Sequence, residues 1–313
     1  MTNPVLFIVG SPRSGTTLLR NIISAHSRIV ITPEARWIPL WYENRKGLTP
    51  EGLVTPALIS ELLAHPKFAL FHLGEDEVMG LTRNSEPMSY ASFLTAIFDM
   101  YGRIRGKDLV GNKTPDSVRK IDTLHSLWPK ARFVHLIRDG RDVALSLMNR
   151  PGWEAHRKPG TFKTWKNDPV STAALWWELN VGAGRNAGKL LGPDLCYEMR
   201  YESLVSDPKN ECERLCEFLD LPYDESMLHH YREPVLKSNP ELGERRDRQP
   251  ITRRLRDWRT QMSLKDVERF EAAVGVLLEE LGYERACPSV GSIAQEHAAA
   301  VRTILTKKFA VLY

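Results

Sequence analysis

The stretch Val5-Leu6-Phe7-Ile8-Val9-Gly10-Ser11-Pro12-Arg13-Ser14-Gly15-Thr16-Thr17-Leu18-Leu19 decides how the rest of the chain is read. Its first five residues are a short continuous apolar run, the pattern of a strand buried on both faces. Gly10 and Gly15 then bracket four residues, the spacing of phosphate-binding loops, and Leu18, Leu19, Ile22 and Ile23 continue with helical periodicity. Strand, glycine loop and helix make the βα unit of nucleotide-binding folds. In such a loop backbone N–H groups point at an anion, and the helix dipole adds partial positive charge. Thr16 and Thr17 add hydroxyl donors, and Arg13 places a positive charge inside the loop. Thr16 stands where triphosphate-binding loops carry lysine, so a nucleoside triphosphate is a poor guess for the ligand. Taken alone, the segment also reads as a turn whose threonines merely cap a helix.

Working outward, further strands are expected at Arg28–Thr32, Asp108–Gly111, Arg132–Ile137 and Asp194–Tyr201. Helical patterns lie between them, at roughly 15–24, 57–64, 89–103, 116–127, 140–149, 171–190, 208–219 and 263–281. Strands alternating with helices predict an α/β fold, a single domain with a mostly parallel central sheet flanked by helices. The domain is read as 1–286 with an insertion at 40–105, and 287–313 as a C-terminal extension whose helix is a candidate to dock on the body or, as a homodimer element, on a second subunit. Residues 150–169 and the arginine-dense 236–257 read as surface loops.

Composition narrows the classes. The chain has 313 residues, 42% hydrophobic and 26% charged, which excludes collagen-like, disordered and coiled-coil proteins. A net charge of +4 names no partner, so any basic site is local. No apolar stretch reaches membrane-spanning length, and Met1 runs straight into a strand-like segment without an export signal. Cys196, Cys212, Cys216 and Cys287 lack metal-ligand spacing and are too few for a disulfide scaffold. Cys212 and Cys216, four apart, fall on or near one buried helix face. The expectation is a cytoplasmic protein.

Two separated motifs sharpen the reading. Pro12-Arg13-Ser14-Gly15-Thr16-Thr17-Leu18-Leu19-Arg20 resembles the 5′-phosphosulfate loop of sulfotransferases that use 3′-phosphoadenosine 5′-phosphosulfate (PAPS). Phe133-Val134-His135-Leu136-Ile137-Arg138-Asp139-Gly140-Arg141-Asp142-Val143-Ala144-Leu145-Ser146 resembles their 3′-phosphate motif, a strand ending in arginine and then a helix with serine eight residues on. Pro33-Glu34-Ala35-Arg36-Trp37-Ile38-Pro39, Gly111-Asn112-Lys113-Thr114-Pro115 and Tyr201-Glu202-Ser203-Leu204-Val205-Ser206-Asp207-Pro208 resemble segments of the tyrosylprotein sulfotransferase branch. The likeness covers about residues 4–285 and is weak across 40–105; the chain resembles a soluble bacterial-type member, with a P-loop sulfotransferase-like fold.

The resemblance implies a sulfotransferase (EC 2.8.2 type) that moves a sulfuryl group from PAPS to a hydroxyl by in-line displacement, leaving adenosine 3′,5′-bisphosphate (PAP). Ser11, Pro12, Arg13, Ser14, Gly15, Thr16 and Thr17 would hold the 5′-phosphosulfate. Arg138, Ser146 and Arg150 would hold the 3′-phosphate, with Tyr201 on the nucleotide and Arg253 and Arg254 closing over the donor. Arg256 is a further candidate in that basic run, which lacks the interleaved aromatics of a nucleic-acid site apart from Trp258. Glu34, after the second strand, would take the acceptor proton as general base. Lys113, in a turn after the third strand, would stabilise the leaving phosphate, and Arg13 would contribute charge to the same step. His135 reads as a satisfied core histidine and Arg141 as a solvated or structural partner. No metal is expected: the strand at 132–137 ends in Arg138 and not in a metal-binding Asp. Trp37, Trp41, Tyr42, Phe68, Phe71, Trp153 and Trp165 are candidates for an acceptor wall, equally an ordinary core. A phenol, a lipid-like alcohol, a glycoside or a peptide tyrosine would suit it. The alternatives are a Mg-dependent P-loop small-molecule kinase and a non-catalytic nucleotide-binding relative.

Overall fold

A computed structural model describes residues 2–83, 87–149, 164–232, 251 and 256–309. In chain order the strands are β1 (Leu6–Gly10), β2 (Ile29–Thr32), β3 (Leu109–Lys113), β4 (Arg132–Ile137) and β5 (Cys196–Arg200). Helix α1 (Thr16–Ala25) follows β1. Helices α2 (Trp37–Glu43), α3 (Pro56–Leu63), α4 (Pro66–Ala69), α5 (Glu75–Arg83) and α6 (Tyr90–Arg103) lie between β2 and β3. Beyond β3 come α7 (Ile121–Leu127), α8 (Gly140–Met148), α9 (Pro169–Leu191), α10 (Tyr201–Ser206) and α11 (Pro208–Phe218). The last described helices are α12 (Trp258–Gln261), α13 (Leu264–Glu280) and α14 (Ser292–Phe309). Their residues gather into two compact units: Met1–Gly10, Gly15–Leu136 and Gly184–Thr252, and Ser11–Ser14, Ile137–Ala183 and Arg253–Tyr313.

The first unit contains the sheet, ordered β2-β3-β1-β4-β5, and β1 pairs parallel with both β3 and β4. Every residue of β1 is buried, as its unbroken apolar run requires. The two-residue period then sorts its side chains. Phe7 and Val9 join Val30, Val110 and Phe133 in one core, whereas Leu6 and Ile8 join Ile29, Ile31, Val134 and Leu136 in the other. The insertion belongs to the Phe7 core, where Leu58, Leu62, Phe93 and Phe98 are buried with the sheet residues. Gly10 is required where β1 leaves the sheet, because a Cβ there would stand 2.5 Å from the Leu136 carbonyl oxygen. Cys212 and Cys216 share the second core, and burial pushes their thiols up to about 12 and about 11.

The second unit has its own core, in which Ile137, Val143, Leu147, Trp177, Phe270 and Val274 pack together. Buried charge runs through it. Arg141, fully buried rather than solvated, donates to Asp139 at 2.8 Å, to Glu271 at 2.7 Å and to the Glu284 carbonyl at 2.8 Å. Trp258 lies 3.7 Å from its guanidinium and donates Nε1–H to Asp139. Such an ion cluster is tolerable only because every member is satisfied. Within this unit α14 buries Ala298, Val301 and Leu305, and Arg302 pairs with Glu178 at 2.6 Å.

Candidate functional site

Within the first unit β3 runs two residues further than Gly111, so Lys113 is the last residue of the strand and not part of a turn. Its register sets it beside Ile8 of β1, and its side chain is 3% exposed. A buried ammonium needs a counter-charge, and Glu34 supplies it at 2.5 Å. A hydrogen-bonded clasp holds the pair. Asn112 Nδ2 donates to Thr32 Oγ1 at 2.8 Å and to the Pro33 carbonyl at 3.0 Å. Thr114 Oγ1 donates to Asn112 Oδ1 at 2.9 Å and accepts the Ala35 N–H at 2.9 Å. The segment carrying Glu34 is therefore tied on both sides to the strand end carrying Lys113. Burial pushes the Glu34 carboxyl up, but Lys113, assisted by Lys67 and Arg20, overrides it and holds the group below the usual carboxylate range. A carboxylate so held is ionised at neutral pH.

Glu34 opens onto a pocket of about 630 Å³. Its apolar wall is Trp37, Leu40 and Trp41 of α2, and its rim carries Arg36, Lys46, His65 and Lys67. The two indoles stand 5.2 Å apart, and His65 meets Trp41 edge-on at 5.7 Å. Of the other aromatics expected here, Phe68 and Phe71 are core residues and Tyr42 stacks on Tyr90. Trp165 belongs to the second unit, and Trp153 lies outside the described residues.

Also in the first unit, α1 begins at Thr16 with Gly15 as its N-cap, and no side chain caps it. Its first N–H groups are thus the kind of donors an anion satisfies. Gly15 has φ +97°, and a Cβ on it would meet the Tyr201 ring at 2.4 Å. Tyr201, a buried residue at the start of α10, thereby packs directly against the loop glycine.

The second unit contains Ser11–Ser14 together with Arg138 and Ser146. Arg13 takes φ +79°, a strained backbone for a non-glycine residue, and its Nε donates to Ser146 Oγ at 3.0 Å. Among the described residues the buried hydroxyls of Ser11 and Ser14 have no hydrogen-bond partner. Orphaned buried donors in a strained loop fit an oxyanion ligand. Arg138, at the strand end, pairs with Asp142 at 2.9 Å and donates to the Arg256 carbonyl at 3.3 Å. Arg150, Arg253 and Arg254 lie outside the described residues. His135, in the first unit, is buried, but its Nε2 has no hydrogen-bond partner among the described residues, so at that nitrogen it departs from the satisfied core histidine expected. Burial lowers its pKa to about 3, which keeps the ring neutral. Among the described residues no cluster of His, Cys, Asp and Glu is arranged to hold a metal, and no helix is long and apolar enough to cross a membrane.

The model of the sulfotransferase family matches residues 4–225. The chain belongs to that family. Its chemistry is sulfuryl transfer. Protein-tyrosine sulfotransferase 1 of Danio rerio is 26% identical over 292 residues, covering 90% of this chain and 72% of that protein. A putative protein-tyrosine sulfotransferase of Caenorhabditis briggsae is 25% identical over 231 residues, 72% of this chain and 69% of the relative. The sulfotransferase domain of the Synechococcus PCC 7002 olefin synthase superposes with a TM-score of 0.61 at 23% identity, covering 90% of this chain and 96% of that one, a likeness of fold.

Sequence reasoning missed the clasp residues Asn112, Thr114 and Thr32 and the pocket residues His65 and Lys67. Asn112 and Thr114 flank Lys113 directly in the motif Gly111-Asn112-Lys113-Thr114-Pro115, and their short polar side chains were the available signal. His65 and Lys67 carry no local signal, since only the folding of the insertion brings them to Glu34.

Proposed function

We propose that the protein transfers the sulfuryl group of PAPS to the hydroxyl of an acceptor held beside Glu34. The observation that carries this reading is the pairing of Glu34 with the buried Lys113 at the edge of a ring-lined pocket. PAPS, when bound, supplies a sulfuryl group on a phosphosulfate anhydride. The acceptor hydroxyl gives its proton to Glu34 as its oxygen bonds to sulfur, and the bond from sulfur to the bridging oxygen breaks. In the same step Lys113 turns from Glu34 to the negative charge building on that oxygen, which makes the carboxylate a stronger base as it takes the proton. The products are a sulfate ester and PAP.

Ser11, Arg13 and Ser14 are the phosphosulfate ligands in this reading, and Thr16 and Thr17 are carried over to that role from the family resemblance. Arg138 and Ser146 are the 3′-phosphate ligands, and Arg150, Arg253 and Arg254 are carried over from the family resemblance. The names of the protein-tyrosine sulfotransferases support a hydroxyl acceptor of phenolic type. Thermal shift tests the donor assignment. PAP raises the melting temperature at micromolar concentration and ATP with Mg²⁺ does not; the reverse order would favour a kinase and overturn the reading.

A further inference from the structure

Three cations rim the pocket onto which Glu34 opens, and two of them are already neutralised. Arg36 pairs with Asp116 at 3.3 Å, and Lys46 pairs with Glu61. The Lys67 ammonium has neither an ion pair nor a hydrogen bond among the described residues. It is nevertheless close enough to Glu34 to lower the carboxyl's pKa. His65 is bound into the same corner, because its Nδ1 accepts the Lys67 backbone N–H at 3.2 Å. Burial, with the nearby Lys46 charge, lowers the His65 pKa, so at neutral pH the ring is uncharged. With Nδ1 accepting, the proton sits on Nε2 and offers a second donor. Trp37, Leu40 and Trp41 line the same pocket.

On the reading of Glu34 as the base, we propose that the acceptor is a small phenol bearing an anionic group, and that Lys67 selects that charge. The hydroxyl reaches Glu34, the ring lies against the indoles, and the anion meets the Lys67 ammonium and the His65 N–H. A neutral ring would gain only the apolar wall, and a cationic one would face the Lys67 ammonium. Charge-assisted hydrogen bonds are roughly twice as strong as neutral ones, so the anion is favoured at this rim. A volume of about 630 Å³ suits a single small ligand.

The test compares 4-hydroxyphenylacetate, its neutral amide and tyramine, which share one ring and one hydroxyl and differ in charge. Binding is titrated with and without PAP, and transfer from PAPS is followed as kcat/KM. The expected result is a preference of roughly tenfold or more for the anion over the amide, with tyramine poorest. Lys67→Met shrinks that preference to within about threefold, and Lys67→Glu inverts the order of anion and tyramine. Stabilisation of each variant by PAP shows that it is folded. Equal use of anion and amide, no binding of the anion at millimolar concentration, or a preference untouched at position 67 overturns the proposal. So does better use of a tyrosine peptide with uncharged flanks. Failure of PAP to bind the wild-type protein instead overturns the sulfotransferase reading beneath it.

Discussion

The acid–base chemistry rests on two side chains whose properties are set by each other. Glu34 is 43% exposed while Lys113 is 3% exposed, so the lysine is the partner that depends on the pair. Without a counter-ion its buried charge is costly. The sign of the pH dependence follows. Lys113 lowers the Glu34 pKa, so the ionised base is present above the usual carboxylate value of about 4.3 and is lost only as pH falls below it. The stability contributed by the pair disappears in the same acid window. Removing the cation by Lys113→Met leaves burial as the largest influence on Glu34, which raises its pKa. The acid limb of kcat/KM should move to higher pH, and kcat should fall by about 10²–10³. A pH–rate profile of the variant checks both. An unmoved limb would show that Lys113 does not tune Glu34.

Elements explain why part of the site could be read from the residues and part could not. The β1 run and the helical spacing after Gly15 are local patterns, and both elements form where they were expected. Helix α2, which lays Trp37 and Trp41 along the pocket, was not expected. Pro39 interrupts its pattern, yet a proline in the first turn costs no hydrogen bond, so the helix forms around it. β3 runs two residues beyond Gly111 because Asn112 and Lys113 stay buried in register with Phe7 and Ile8, a tertiary effect absent from local periodicity. The loop itself makes a direct prediction. Gly15→Ala adds a Cβ at φ +97° and drives it into the Tyr201 ring. It should weaken PAP binding at least tenfold in a calorimetric titration and lower the melting temperature. Unchanged PAP affinity would remove the loop from the donor site.

For the molecule as a whole, the strands of the sheet were legible because each is a continuous segment. The roles of the insertion and of the C-terminal helix were not, because both are fixed by long-range packing. The insertion completes the Phe7 core and delivers His65 and Lys67. Helix α14, left open between docking on the body and on a second subunit, buries Leu305 at 1% exposure in the second unit's core. Leu305→Ala should therefore cost about 2–5 kcal/mol in chemical denaturation. A cost below about 0.5 kcal/mol, the range of surface substitutions, would detach the helix from that core. The most direct test of the central claim is transfer of labelled sulfuryl from PAPS by wild-type protein and by Glu34→Gln, with PAP affinity measured on both. Transfer by the variant should fall by at least about 10² while PAP binds each protein alike. Undiminished transfer by Glu34→Gln would contradict that claim.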